Sequence, residues 1–326
     1  KPRIEKAADL PRFTYPLKGS LEALVKDPTT FAAFSADLRR DVESVLAKYE
    51  IADKASEREL LGTLLQLDLL AGKDADALKR IEQIRVLQEK PADKLLTGLQ
   101  ARAIIDGRMA AGSGPAYLAA VRSSLEASLK PLPYEVIAND IKEAKASAEL
   151  LGEGRLLGYV NEVLQPTVDK TGALSSELAP GLVSVRYALV LRLPLKQTLV
   201  DTYSAYLAAN KLEKPDIWAA RDVSLESGRP YAPVILAVWD SGVDTTLFKG
   251  QVVRNAKGDP VLIGFDKYSN PQNTELQVLT PTLQARLPTM KAHTKGFSDL
   301  QSNVDSPEAS EVKQLLSALP PDQYKP

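Results

Sequence analysis

The residues best suited to chemistry stand in one run, Asp240-Ser241-Gly242-Val243-Asp244. Ahead of them Pro233 opens a short apolar stretch, Val234-Ile235-Leu236-Ala237-Val238, rich in β-branched residues. That pattern predicts a strand buried on both faces, as in a parallel sheet. A carboxylate at the carboxyl end of such a strand, followed by a glycine that relaxes backbone limits, is a common place for chemistry in α/β folds. Asp, Ser and Gly are also ordinary turn residues, so a plain turn is the alternative. Ser241 has no base or oxyanion donor visible beside it and reads as a turn hydroxyl. The one histidine, His293, lies in Lys-Ala-His-Thr-Lys-Gly and reads as an exposed loop residue. Asp244, Asp259 and Asp266 match no calcium loop in their spacing, so no metal and no cofactor is expected.

The run at 233–248 resembles the aspartate motif of the subtilisin-like serine peptidases, in which a hydrophobic strand enters Asp-Ser/Thr-Gly-Ile/Val-Asp. The likeness is close around this motif and loose over the last third of the chain. It implies that Asp240 orients the catalytic histidine and stabilises its charge. It also implies a polypeptide substrate and a secreted or periplasmic location. The family's histidine segment, His-Gly-Thr-His-like, and its nucleophile segment, Gly-Thr-Ser-Met-Ala, have no counterpart here, and His293 fits neither. The chain is therefore expected to be the amino-terminal part of a longer peptidase, inactive as it stands. The competing expectation is a helical protein-interaction module whose α/β extension is structural and non-catalytic.

Composition is that of an ordinary globular chain: 326 residues, 44% hydrophobic, 25% charged, net charge −1. The length suits two or three domains. The balanced charge points to neither nucleic acid nor an anionic membrane, and no apolar run reaches the length of a membrane span. The absence of cysteine excludes disulfides, thiolate metal sites and cysteine nucleophiles. Lys1 at the start fits a removed signal peptide or an artificial boundary equally.

The elements that must position Asp240 begin with a mainly α-helical region, expected over 1–212. An incomplete subtilisin-like α/β part is expected over 213–326. Residues 1–20, with Pro2, Pro11 and Pro16, read as an extended arm packed on the helices after it. Ser20 is placed to cap one helix, and Asp27-Pro28 ends it and starts another bearing Phe31, Phe34, Leu38, Val42 and Val45 at helical spacing. Ser56 with Glu59 matches a capping box. Gly72-Lys73-Asp74 separates two helices, and Pro91 ends that pair. A second pair is expected over 94–109 and 116–129. The layout resembles tetratricopeptide repeats, but two poorly matched units are too few for a solenoid, and an irregular helical bundle is the alternative.

Pro131-Leu132-Pro133 reads as a boundary. An exposed amphipathic helix comes next, over 134–151, with Lys142, Glu143, Lys145 and Glu149 on its solvated face. Gly152-Glu153-Gly154 reads as a helix-breaking loop, 155–164 as a helix ended by Pro166, and 167–180 as polar turns. Residues 182–193 alternate like a strand, yet Val185, Ala188, Leu189 and Arg192 also fit a helix, which the helical surroundings favour. A helix over 195–209 is next, with Asn210 at its C-cap. The stretch 214–230 reads as a lead-in anchored by Trp218. The helical region would contact the peptidase part as a prodomain-like or accessory module. A hairpin is expected where 251–254 and 261–265 flank Lys257-Gly258-Asp259, a loop over 268–273, mixed signals over 276–290, and a last helix over 306–319 capped by Ser306.

Overall fold

A computed structural model describes residues 1–211, 216–239, 245–248, 250–262, 264–266, 268–272 and 279–324. Contacts divide the chain into two units, one of Lys1–Lys211 with Pro288–Pro326 and one of Leu212–Leu287. Residues 288–326 differ: the sequence assigns them to the second part, and they cluster with the helical unit.

The arm forms β1 (Arg3–Ile4) and β2 (Thr14–Pro16). Then come α1 (Leu21–Lys26) and α2 (Pro28–Lys48). Their caps are the expected ones. The Ser20 hydroxyl accepts from the Ala23 N–H, and the Asp27 carboxylate accepts from the N–H groups of Thr29 and Thr30. Each satisfies backbone donors that a helix start leaves without partners. β3 (Glu50–Ile51) pairs in parallel with β1, which ties the arm to the end of α2. The next helix, α3 (Lys54–Leu70), starts earlier than the Ser56 capping box requires. Asp53 is its cap, accepting from the Ala55 and Ser56 N–H groups and from the Ser56 hydroxyl. Ser56 is thus a buried first-turn residue.

α4 (Asp74–Leu87) packs back on α3. Pro91 does not end this pair; it opens α5 (Pro91–Leu96), where its missing N–H costs nothing. Gly98, at φ +81°, turns the chain into α6 (Leu99–Ala111), which packs against α7 (Gly114–Leu129). Pro131-Leu132-Pro133 is a turn inside the unit, not a domain boundary. It leads to α8 (Tyr134–Glu149), whose Ile137 and Ile141 join Val121, Leu125 and Leu129 in one core.

α9 (Glu153–Tyr159) passes through a π-helical turn, Val160–Leu164, into α10 (Gln165–Thr171). The helix therefore continues past Pro166, the expected terminator. Proline has no N–H to place on the preceding turn, and the wider turn before it removes the need for one. The turns expected up to residue 180 contain β4 (Ala173–Ser175), antiparallel to β2. α11 (Ala179–Tyr187) settles the ambiguous stretch as helix, continued by a π-helical turn, Ala188–Arg192, and a short 3₁₀ turn, Leu193–Leu195. α12 (Lys196–Ala209) ends at the expected C-cap, Asn210.

One core gathers Tyr15, Phe31, Phe34, Leu64, Leu157 and Leu182. A second gathers Ile104, Leu125, Ile141, Leu199 and Tyr203. Each joins segments distant in sequence, so the helical pairs are parts of an irregular bundle. Buried charges are matched. Asp68, 0% exposed, lies 2.6 Å from Arg39 and 3.6 Å from Arg80. Arg186 donates to the Val25 carbonyl at 2.6 Å, where α1 leaves acceptors free, and sits over the Phe31 ring at 4.9 Å.

In the second unit, β5 (Gly264–Phe265) pairs antiparallel with β6 (Pro271–Gln272). α13 (Pro281–Ser302) comes next, and from Pro288 the chain belongs to the helical unit again. α14 (Pro307–Ser317) starts at Ser306 as expected, and Pro321–Gln323 forms a last 3₁₀ turn. Leu300, Ala309 and Val312 pack on Ala146 and Leu150. Glu149 is correspondingly buried, 6% exposed. It is paired with Lys145 at 3.3 Å and Lys313 at 3.5 Å instead of facing solvent as expected.

Two substitutions test this packing. Gly107 lies under Val121 and Tyr117, where a Cβ would meet side-chain atoms at 2.6 and 2.8 Å. Helix propensity alone favours Ala over Gly by about 1 kcal/mol. Gly107→Ala is expected to lower the denaturation midpoint nonetheless; a raised midpoint would contradict the close α6–α7 crossing. Ser306→Ala removes the acceptor for the Ala309 N–H and is expected to cost about 1 kcal/mol in chemical denaturation.

Candidate functional site

Asp240 and its neighbours Ser241, Gly242, Val243 and Asp244 lie outside the described residues. The apolar run that leads to them is described. Residues 231–239 belong to no helix or strand. Val234 is 79% exposed, Leu236 83% and Trp239 92%. The strand buried on both faces is thus not formed. Such a strand needs hydrogen-bonded neighbours on both edges and a packed layer on each face. Among the described residues of this unit the named strands are β5 and β6, and they pair with each other. Trp239 stacks on Phe265, with ring centroids 6.0 Å apart and planes 26° apart. Thr245–Phe248 is a 3₁₀ turn.

The expected hairpin turn is present. The Asn255 side-chain oxygen accepts from the N–H groups of Lys257 and Asp259. Gly258 takes φ +87°, which glycine adopts without strain. Arg254 and Pro260 form an antiparallel bridge, and the Val261 N–H donates to the Val253 carbonyl. Ile263, inside the expected second arm, is outside the described residues. The loop expected at 268–273 holds β6. Its turn is organised by Asp266, whose carboxylate accepts from the N–H groups of Tyr268 and Asn270 and from the Asn270 and Gln272 side-chain amides. These donors hold the Asp266 carboxyl below the usual carboxylate range, the Asn270 N–H most of all. Asp266 therefore accepts bonds from its own turn, and Asp259 accepts from the Asn255 amide at 3.3 Å. Among the described residues no group of three or more His, Asp or Glu side chains is placed to hold a metal ion.

Trp218, expected as a buried anchor, is exposed at 68%. Its nearest aromatic-face contact is the Arg221 guanidinium, 5.9 Å from the ring centroid. The lead-in is irregular over 216–230 and presents its polar backbone to water, so a large side chain there has no layer to enter.

His293 sits in α13, not in a loop. Its Nε2 lies 3.4 Å from a carboxylate oxygen of Glu311 on α14. The neighbouring Thr294 hydroxyl donates to the Met290 carbonyl. Beside it, Lys295 binds Asp299 at 2.7 Å and Glu308 at 3.0 Å, and Ser306 donates to Asp299. The Lys295 ammonium is the first cause that holds both carboxyls below the usual range. This cluster fixes the turn between α13 and α14.

No family model matches the chain, and the searches of curated proteins and of solved structures give no match either. Among the described residues no helix is long and apolar enough to cross a membrane.

The Asp299 and Glu308 pairing makes a pH prediction. Both carboxyls are lowered in the folded state, so their stabilisation is full above the ordinary carboxylate pKa, about 4. It is lost as pH falls through their folded values. Acidification below about pH 4 is expected to loosen the α13–α14 turn first, seen as line broadening of 299–308 amides. Loosening on going from pH 5 to pH 8 instead would contradict the assignment.

Proposed function

We propose that this chain is the amino-terminal part of a subtilisin-like serine endopeptidase, exported to the periplasm or the outside of the cell, with Asp240 as its triad aspartate. The observation that carries the reading is the run Val234–Val238 entering Asp-Ser-Gly-Val-Asp. The reading requires Val234–Val238, exposed and outside any strand here, to enter a parallel sheet completed by further polypeptide, where burial would stabilise by roughly 1.5–3 kcal/mol per large apolar side chain.

In this reading the Asp240 carboxylate accepts the Nδ1–H of a histidine supplied by polypeptide beyond Pro326. That fixes the tautomer in which Nε2 takes the proton of a serine hydroxyl. The serine oxygen attacks the peptide carbonyl, and the histidine later returns the proton to the leaving amine. His293, whose Lys-Ala-His-Thr-Lys-Gly context fits neither family segment, is given no part in this. The helical unit acts as a prodomain-like or accessory module that contacts the peptidase domain.

The second reading is a helical protein-interaction module with a structural, non-catalytic extension. The antiparallel pairs α3–α4 and α6–α7 favour it.

A serine-directed covalent probe separates the two. A product extended past Pro326 is compared with this chain. The peptidase reading expects labelling and peptide hydrolysis only in the extended product, with kcat reduced roughly 10⁴-fold by Asp240→Asn. Absence of both labelling and hydrolysis in the extended product would discard it in favour of the interaction module.

A further inference from the structure

We infer that residues 288–324 are an intramolecular docking segment, which holds residues 1–211 as a bound partner when the chain is cut in its irregular stretch. This inference stands apart from the peptidase reading and needs no chemistry at Asp240.

Three observations carry it. First, the segment is seated by an apolar cluster. Leu300, Ala309 and Val312 are each at most 6% exposed, against Ala146 and Leu150 of α8. Second, the seat is shaped for backbone. A Cβ on Gly152 would meet the Ser317 carbonyl oxygen, one on Gly154 the Leu319 carbonyl oxygen, and one on Gly158 the Tyr324 side chain. Glycines at these positions let the chain after α14 lie directly against α9. Third, the contact is charge-matched. Glu149, buried and flanked by Lys145 of its own helix, receives Lys313 of α14 at 3.5 Å. A shape-specific, apolar and charge-paired contact is how a specific interface reads, not how a chain end merely draped over a surface reads.

The connection between the two parts of the helical unit has the opposite character. Residues 216–239 are exposed and contain no helix or strand, the kind of stretch that proteases nick. Hydrolysis of one peptide bond there consumes one water and frees a carboxylate and an amine, and it breaks none of the contacts just described. The helical unit then stays with the carboxyl-terminal piece through α8, α9 and α14.

The test uses the full chain with a site-specific protease sequence inserted after Ser227. After complete cleavage the two pieces are run on a native sizing column. The inference expects them to elute together at the position of the uncut protein and to separate only in denaturant. Separate elution under native conditions would overturn it. In Gly154→Val the pieces are expected to come apart after cleavage, while the uncut variant keeps its elution volume and helical circular dichroism. Lys313→Glu, a change at the half-exposed rim that leaves the apolar cluster intact, is expected to make co-elution weaker than in the parent. Undiminished co-elution in both variants would equally overturn the assigned surface.

Discussion

The close approach of backbone to backbone over α9 is the constraint on which the helical unit's closure depends. Gly152, Gly154 and Gly158 leave room that any larger residue would fill, and the chain at 317–324 lies in it. Once that path is taken, α14 is brought against α8. Glu149 then becomes a buried carboxylate held between Lys145 and Lys313. A buried charge is tolerable only when paired, so the glycine seat and the ion pair depend on each other. The same closure makes residues 212–287 an insertion between two parts of one packed unit.

The interior of the unit obeys the same logic. Asp68 is removed from water entirely, and Arg39 and Arg80 converge on it from α2 and α4. Arg186, buried beside Phe31, gives its proton donor to a carbonyl at the end of α1. Lys196 donates to the Leu151 carbonyl at 2.6 Å, just past the end of α8. Burial pushes its ammonium pKa down. These cations are placed at a carboxylate or at acceptors that a helix end leaves open. These contacts link helices far apart in sequence, and they explain why the bundle is irregular where a repeat array would be periodic.

What was legible in the sequence was local. Ser20, Asp27 and Ser306 cap the helices they precede because a cap needs only its own next three residues. At Ser56 the same logic failed because Asp53 offers a second acceptor one turn earlier, and it also takes the Ser56 hydroxyl. Pro166 misled because a π-helical turn before it relieves the missing donor. β4 was invisible because its partner β2 is remote in sequence. Glu149 looked solvated because its helix is amphipathic, and the covering α14 comes from the far end of the chain. The run at 234–238 has the composition of a buried strand, but a strand is defined by its neighbours, which composition does not supply. Asp240 lies outside the described residues.

The most direct measurement of this architecture is native-state amide hydrogen exchange resolved by segment. The account predicts that amides of 137–148 and 307–317 exchange slowly and respond together to denaturant, as parts of one packed unit. Amides of 231–239 are predicted to exchange close to the rate of an unstructured chain. Rapid exchange across 307–317, with 231–239 protected to the level of the helical core, would contradict it.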